Sequence, residues 1–175
     1  MSLFPRRRKA LGQHFLVDDN IADRIVAAAE IAEGERLLEI GPGRGVLTER
    51  LVPLGKLVAV EKDRWLAAVL RQRFGDELEL IEGDALAVEL PPSDVVVANL
   101  PYSISSPLLF RLFDVEWGRA VLMFQEEFAR RLAASPGSKA YGRLSVMAQH
   151  HVDCRKLFRV SRTAFLPQPR VHSLV

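Results

Sequence analysis

The chain has 175 residues, 49% of them hydrophobic and 26% charged, which supplies one globular core and leaves little material for a long disordered tail. Its apolar runs, such as residues 95–98 and 120–124, fall far short of the ~20 residues that cross a bilayer, and a single cysteine with four scattered histidines offers neither a disulfide nor a metal-ligand pattern. The net charge of +2 conceals an asymmetry: residues 1–9 carry four basic and no acidic groups, residues 10–118 ten basic and nineteen acidic, and residues 119–175 ten basic and three acidic. Cationic ends around an anionic middle suit a polyanionic partner if the ends meet on one face; otherwise they are an unevenly charged solvated surface. Arg6, Arg7, Arg8 and Lys9 are not followed by the apolar stretch and cleavage site of a secretion signal, so the expectation is a cytoplasmic protein with no membrane segment and no metal.

Helical spacing of Ile21, Ile25, Val26 and Ala29 behind the capping residues Asp18 and Asp19 predicts a helix over 19–32. Residues 36–40 form a short strand candidate running into Gly41-Pro42-Gly43-Arg44-Gly45, after which Val46, Leu47, Leu51 and Val52 resume helical spacing. Residues 57–60 predict a second strand ending at Glu61, and Trp65, Leu66, Val69 and Leu70 mark a helix that Phe74-Gly75 closes. Residues 78–81, 95–98 and 120–124 read as three further strands, the last leading into a helix over about 126–133. After a loop at 135–138, residues 144–151 suit a helix, and 152–160 and 171–175 suit terminal strands joined through Phe165-Leu166-Pro167-Gln168-Pro169. Nearly all-apolar strands alternating with helices call for an α/β fold, a parallel sheet covered on both faces.

In open α/β sheets the ligand lies beyond the carboxyl ends of the strands, and the polar and glycine-rich residues of this chain cluster there. Gly41, Gly43 and Gly45 permit a tight turn and close backbone approach. Val46 stands where the dinucleotide pattern GxGxxG requires glycine, so a pyrophosphate cradle is disfavoured. Glu61, about twenty residues after Gly41, suits a carboxylate accepting from two ribose hydroxyls, and Asp84 suits one accepting from the amine of an adenine. Each acid alone reads equally as a strand-end surface residue or a helix cap; with the glycine turn they outline a nucleoside site. Asn99-Leu100-Pro101-Tyr102 carries the most specific signal. An amide oxygen and a backbone carbonyl held in a proline turn both accept from one planar NH₂ group, while Tyr102 stacks on its ring.

These strings together resemble the ribosomal RNA adenine dimethyltransferase family. The resemblance runs through Gly12-Gln13-His14-Phe15-Leu16, Glu39-Ile40-Gly41-Pro42-Gly43-Arg44-Gly45, Val60-Glu61, Gly83-Asp84-Ala85, Asn99-Leu100-Pro101-Tyr102-Ser103-Ile104-Ser105, Tyr141-Gly142-Arg143-Leu144 and Phe165-Leu166-Pro167-Gln168-Pro169-Arg170-Val171. It implies a Rossmann-like class I S-adenosylmethionine-dependent methyltransferase fold with a mainly parallel seven-stranded sheet, helices on both faces and an antiparallel insertion among the last strands. It also implies S-adenosylmethionine as cofactor. His14 and Leu16 would close one side of the site, the turn at Gly41, Gly43 and Gly45 would approach the methionine part, Glu61 the ribose, Asp84 with Ala85 the adenine, and Asn99 the region of the sulfonium. Position 14 is commonly asparagine in bacterial relatives, so His14 stands either as a ligand contact or as a packed loop histidine.

The implied reaction is dimethylation of two adjacent adenosines in small-subunit ribosomal RNA, with Asn99, Leu100 and Pro101 holding the target amine and Tyr102 and Phe165 clamping the extruded base. The basic segment within residues 1–16 and the cationic excess after Arg119 would bind RNA phosphates. The family continues into a small helical domain after its last strand, so the expectation for residues 1–175 is a monomeric catalytic domain that binds cofactor but is weakened in ribosomal-particle recognition. Three other readings remain open on the sequence: a large-subunit adenine dimethyltransferase of the antibiotic-resistance type, a non-catalytic RNA-binding assembly factor, and, more distantly, a nicotinamide oxidoreductase.

Overall fold

The computed structural model describes residues 14–175. Its strands are β1 (Phe15–Leu16), β2 (Arg36–Ile40), β3 (Lys56–Glu61), β4 (Leu78–Glu82), β5 (Ser93–Asn99), β6 (Trp117–Gln125), β7 (Arg159–Val160), β8 (Phe165–Leu166) and β9 (Ser173–Leu174). The helices are α1 (Asp19–Ala28), α2 (Thr48–Leu51), α3 (Arg64–Phe74), α4 (Ser105–Leu112), α5 (Glu126–Leu132) and α6 (Arg143–His151). Seven strands form one sheet in the order β4-β3-β2-β5-β6-β9-β7, and β1 pairs with β8 in a separate two-stranded strap. Strands β2 to β6 run parallel, while β9 lies antiparallel to both β6 and β7.

Alternation along the central strands explains why both faces must be covered. Leu37, Val95 and Val97 pack into one hydrophobic layer with Ile25, Leu51 and Leu70 from α1, α2 and α3. Leu38, Ile40, Val96 and Ala98 point the other way, into a layer with Leu108, Leu112, Leu132 and Ala148 from α4, α5 and α6. With both faces buried, the strands read as continuous apolar runs, as expected for a parallel sheet. The strand order reverses between β2 and β5, and a ligand crevice opens at such a switch point.

Local signals set several boundaries. Asp18 accepts from the Ile21 N–H at 3.1 Å and starts α1; Asp63 accepts from Trp65 and Leu66 and starts α3, which Gly75 ends at φ 52°. The helix expected over 19–32 stops at Ala28. Glu30 turns to φ 47°, and the freed carbonyls of Ala29 and Glu30 each accept from the Arg119 guanidinium at 2.6 Å. Arg119 also pairs with Glu35, so a cation sits at the negative end of the helix. The terminal strands expected over 152–160 and 171–175 shrink to β7 and β9, where residues 157–160 and 172–175 lie along each other and the end of β6. Between β4 and β5 the chain crosses through turns rather than a helix, held by Arg111 of α4 donating to the carbonyls of Ala85 and Val88.

Leu38 is fully buried in the second layer. Its replacement by Ala is expected to lower unfolding stability by about 2–5 kcal/mol in urea titration, the range for a core leucine that leaves a cavity; a loss under 1 kcal/mol would show that this layer is loosely packed.

Candidate functional site

One cleft at the switch point gathers most of the residues singled out in the sequence. His14, Leu16, Gly41, Gly43, Glu61, Asp84, Ala85, Asn99, Leu100, Pro101, Tyr102 and Phe165 all line it. Gly45 stands behind the turn. A Cβ there would lie 3.0 Å from Leu70 and 3.1 Å from Phe74, so its glycine lets the turn seat against α3.

The glycine turn is built around a buried carboxylate. Glu61, 4% exposed at the end of β3, accepts from the Gly43 N–H through Oε2 at 3.0 Å and from the Asp63 N–H through Oε1 at 2.8 Å. Burial raises its pKa, and these backbone donors oppose the shift. Each carboxylate oxygen retains acceptor capacity beyond the one bond, on a residue that lines the cleft. Gly43 has φ 59°, and a Cβ there would press on the Phe15 ring at 3.2 Å, so the turn and strap β1 approach closely only because this residue is glycine. Arg44 lies over the other part of that contact, its guanidinium 4.7 Å from the Phe15 ring centre.

Asp84 begins the turn after β4 and does two jobs at once. Its Oδ1 accepts from the Leu86 N–H at 3.0 Å and its Oδ2 from the Lys62 ammonium at 2.6 Å. The Lys62 contact holds this carboxyl below its usual range. Asp84 is therefore ionised and acceptor-only at neutral pH.

Opposite the glycine turn, β5 ends in Asn99, and Pro101 precedes a 3-10 turn that starts at Tyr102. Leu100 is buried, which fixes the backbone that presents its carbonyl. A Cβ on Gly41 would come within 4.0 Å of the Asn99 carbonyl, so a side chain there would narrow the gap between the two turns. Tyr102 donates to or accepts from Ser173 of β9, with the hydroxyls 2.8 Å apart, and its ring lies 5.8 Å from that of His14 at a 30° tilt. His14 Nδ1 is 2.7 Å from the Pro167 carbonyl; a carbonyl only accepts, so Nδ1 carries the proton. Phe165, 2% exposed, belongs to the hydrophobic layer below the strap and also borders the cleft, pairing across the strap with Leu16.

Three features of the site escaped the sequence reading. Glu39 appeared there only as part of a motif string, yet it is a buried carboxyl lining the cleft, bonded to the Thr48 hydroxyl at 2.7 Å. Burial pushes its pKa up to about 8, with Glu61 adding repulsion, so it holds a proton at neutral pH. The available signal was an acid inside the apolar run of β2. Lys62 and Ser173 are the other two, and both act through partners distant in sequence.

The cationic surface is only partly available. Arg119 pairs with Glu35, and Arg130 and Arg159 both pair with Glu126, while Arg162 and Arg170 flank the strap segment at Phe165. Arg6, Arg7, Arg8 and Lys9, with Gly12 and Gln13, lie outside the described residues. Among the described residues no helix is long and apolar enough to cross a membrane, and no group of three His, Cys, Asp or Glu side chains is placed to hold a metal ion.

A seven-stranded sheet with one antiparallel strand near its edge, and a glycine turn and strand-end acid at the switch point, define the class I S-adenosylmethionine methyltransferase fold. The profile of the family described as ribosomal RNA adenine dimethylase matches residues 5–175, and the chain belongs to that family. It is 47% identical over 98% of its length to a Methanopyrus kandleri protein named probable ribosomal RNA small subunit methyltransferase A, and 46% identical over 94% to the Thermococcus sibiricus protein of the same name. The chain spans 62% and 61% of those two relatives. Among solved structures, a dimethyladenosine transferase from Plasmodium falciparum superposes with a TM-score of 0.87 at 39% identity, covering 92% of this chain and 61% of that one. The 23S rRNA methyltransferase ErmE superposes at 0.81 with 31% identity, covering 91% of this chain and 67% of that one.

Glu39 has a folded-state pKa far above that of an exposed glutamate, so its contribution to stability is complete below about pH 4.5 and is lost as pH rises through about 8. Unfolding free energy is expected to fall across pH 5–8 by up to on the order of 1 kcal/mol per pH unit from this group, and Glu39→Gln is expected to flatten that fall. Parallel pH profiles for the two proteins would place the titrating group elsewhere.

Proposed function

We propose that this chain is the catalytic part of an S-adenosylmethionine-dependent enzyme that converts two adjacent adenosines of small-subunit ribosomal RNA to N6,N6-dimethyladenosine. The observation that carries the reading is the meeting of two turns in one cleft: the glycine turn locked by Glu61, and Asn99-Leu100-Pro101-Tyr102 at the end of β5. The residues present fit the cofactor. Glu61 keeps acceptor capacity for ribose hydroxyls, Asp84 and Ala85 border the place for adenine, Gly41 leaves open the gap a Cβ would narrow, and His14 and Leu16 close the cleft from the strap. When bound, S-adenosylmethionine supplies a methyl group already activated on a positive sulfur.

The residues of the chain do the rest by positioning. An adenine amine is a poor nucleophile because its lone pair is delocalised into the ring. The Asn99 amide oxygen and the Leu100 carbonyl accept hydrogen bonds from its two N–H groups, which favours a pyramidal nitrogen and localises the lone pair. Pro101 and the buried Leu100 side chain hold that carbonyl in place. Tyr102, with Phe165 at the border of the cleft, packs the base faces once the nucleotide leaves its stack. The proton departs to solvent after transfer, when the nitrogen is cationic and acidic, so no dedicated base is required. Binding two reactants in one oriented pair supplies much of the acceleration.

The substrate assignment is supported by the names of the archaeal relatives and by the higher identity to the dimethyladenosine transferase than to the large-subunit enzyme. The reading includes action as a monomer in the cytoplasm, with Arg162 and Arg170 among the phosphate contacts.

Methyl transfer from S-adenosylmethionine to unmethylated small and large ribosomal subunits tests the proposal. Label is expected on adjacent small-subunit adenosines, and Asn99→Ala is expected to cut the rate on the order of 100-fold, as for loss of one oriented polar group at a reacting centre. Large-subunit labelling would move the protein to the antibiotic-resistance type. Equal rates for the variant would remove Asn99 from the mechanism.

A further inference from the structure

The Tyr102 ring is not held by its own turn. Tyr102 starts the 3-10 turn that follows β5, and a tyrosine ring there has more than one staggered rotamer open to it unless something holds its far end. Ser173 does so from the other side of the sheet order, since β9 is separated from β5 by β6. Ser173 is fully buried, and its Oγ lies 2.8 Å from the Tyr102 hydroxyl, across 71 residues of sequence. Its own backbone is fixed by pairing on both edges, with Gln125 of β6 and Val160 of β7. Tyr102 is only partly buried and borders the cleft, so one end of the ring is anchored and its face is left for a ligand.

A second contact sets the ring's tilt. The His14 imidazole lies 5.8 Å from the Tyr102 ring centre, and its Nδ1–H donates to the Pro167 carbonyl. The aromatic side chain is thereby placed between a strand serine and a histidine that is itself hydrogen-bonded, with no polar atom of Tyr102 needing to turn toward the cleft. Burial raises the Tyr102 phenol pKa and the Ser173 hydroxyl draws it part of the way back, so the phenol stays protonated and able to donate to Ser173.

From this geometry we propose that Ser173 is a positioning residue for methyl transfer: its hydroxyl fixes the Tyr102 ring in the orientation that stacks on the target adenine. The inference rests on the adenine dimethyltransferase reading and adds to it a residue on β9. Ser173 acts through Tyr102 and touches neither cofactor nor the reacting nitrogen. Misplacing a positioning group by about 1 Å costs up to ~100-fold in rate, and a ring freed at one end still stacks part of the time, so the expected loss is about 5- to 20-fold.

The test compares wild type, Ser173→Ala, Tyr102→Phe and the double variant, using methyl transfer to unmethylated small subunits, S-adenosylmethionine affinity by calorimetry, and thermal melting. Ser173→Ala is expected to lower kcat about 5- to 20-fold while cofactor affinity stays within about 2-fold, because Ser173 does not line the cleft and its hydroxyl bonds none of the proposed cofactor residues. The double variant is expected to be no slower than Tyr102→Phe alone, since both single changes break one hydrogen bond. Independent, multiplying losses would overturn the proposal, as would an unchanged kcat in Ser173→Ala. A loss of cofactor affinity parallel to the loss of rate would also overturn it, marking Ser173 as a general packing residue. Absence of any transfer by the wild type would instead bring down the dimethyltransferase reading itself, and the stacking role with it.

Discussion

The Glu61 carboxylate is the joint on which the site turns. It is buried, and an isolated buried charge would be expensive, yet two backbone N–H groups hold it in place. One belongs to Gly43, in the turn that follows β2; the other belongs to Asp63, whose own carboxylate starts α3. A single side chain thus ties two neighbouring strands and the helix between β3 and β4 into one rigid corner. The same carboxylate faces the cleft with acceptor capacity to spare, so the group that stabilises the corner is also the one proposed to receive the ribose.

Around that corner the cleft is divided by chemistry. The β2–β3–β4 side is polar and acidic, with protonated Glu39 beside Glu61 and ionised Asp84 beside Lys62. The β5 side is a proline turn with an amide, a carbonyl and an aromatic ring. The strap of β1 and β8 closes over both, joining the chain's beginning to its last quarter through the pairs Phe15–Leu166 and Leu16–Phe165. Phe165 illustrates how little separates core from site here: it is buried in the layer below the strap and still borders the cleft, so a base clamp built on it would be rigid.

The parallel strands and the glycine turn were legible in the sequence because local pattern and tertiary role agree: the apolar runs of the central strands β2 and β5 are buried on both faces, and each parallel strand end carries its glycine, acid or amide. The strap and the closing strands were not legible at that level. Strands β1, β7, β8 and β9 are two residues long, too short for a period to show, and they exist only because distant segments supply a partner. Glu39 was hidden by the apolar run that surrounds it, where an acid reads as an interruption rather than as a buried carboxyl. Tyr102 was singled out in the sequence, but the serine hydrogen-bonded to it comes from a strand no spacing rule connects to it. The α1 boundary failed for a similar reason: apolar spacing continues past Ala28, and the competing hydrogen bonds come from Arg119, far along the chain.

The central claim is that this cleft receives the methyl donor with its ribose at Glu61 and its reactive carbon facing the end of β5. A crystal structure of the protein soaked with S-adenosylmethionine addresses it directly. Electron density for the ribose hydroxyls within hydrogen-bond distance of Glu61, and for the methyl group directed toward Asn99, is the expected result. An empty cleft with the compound held on another surface would contradict the account.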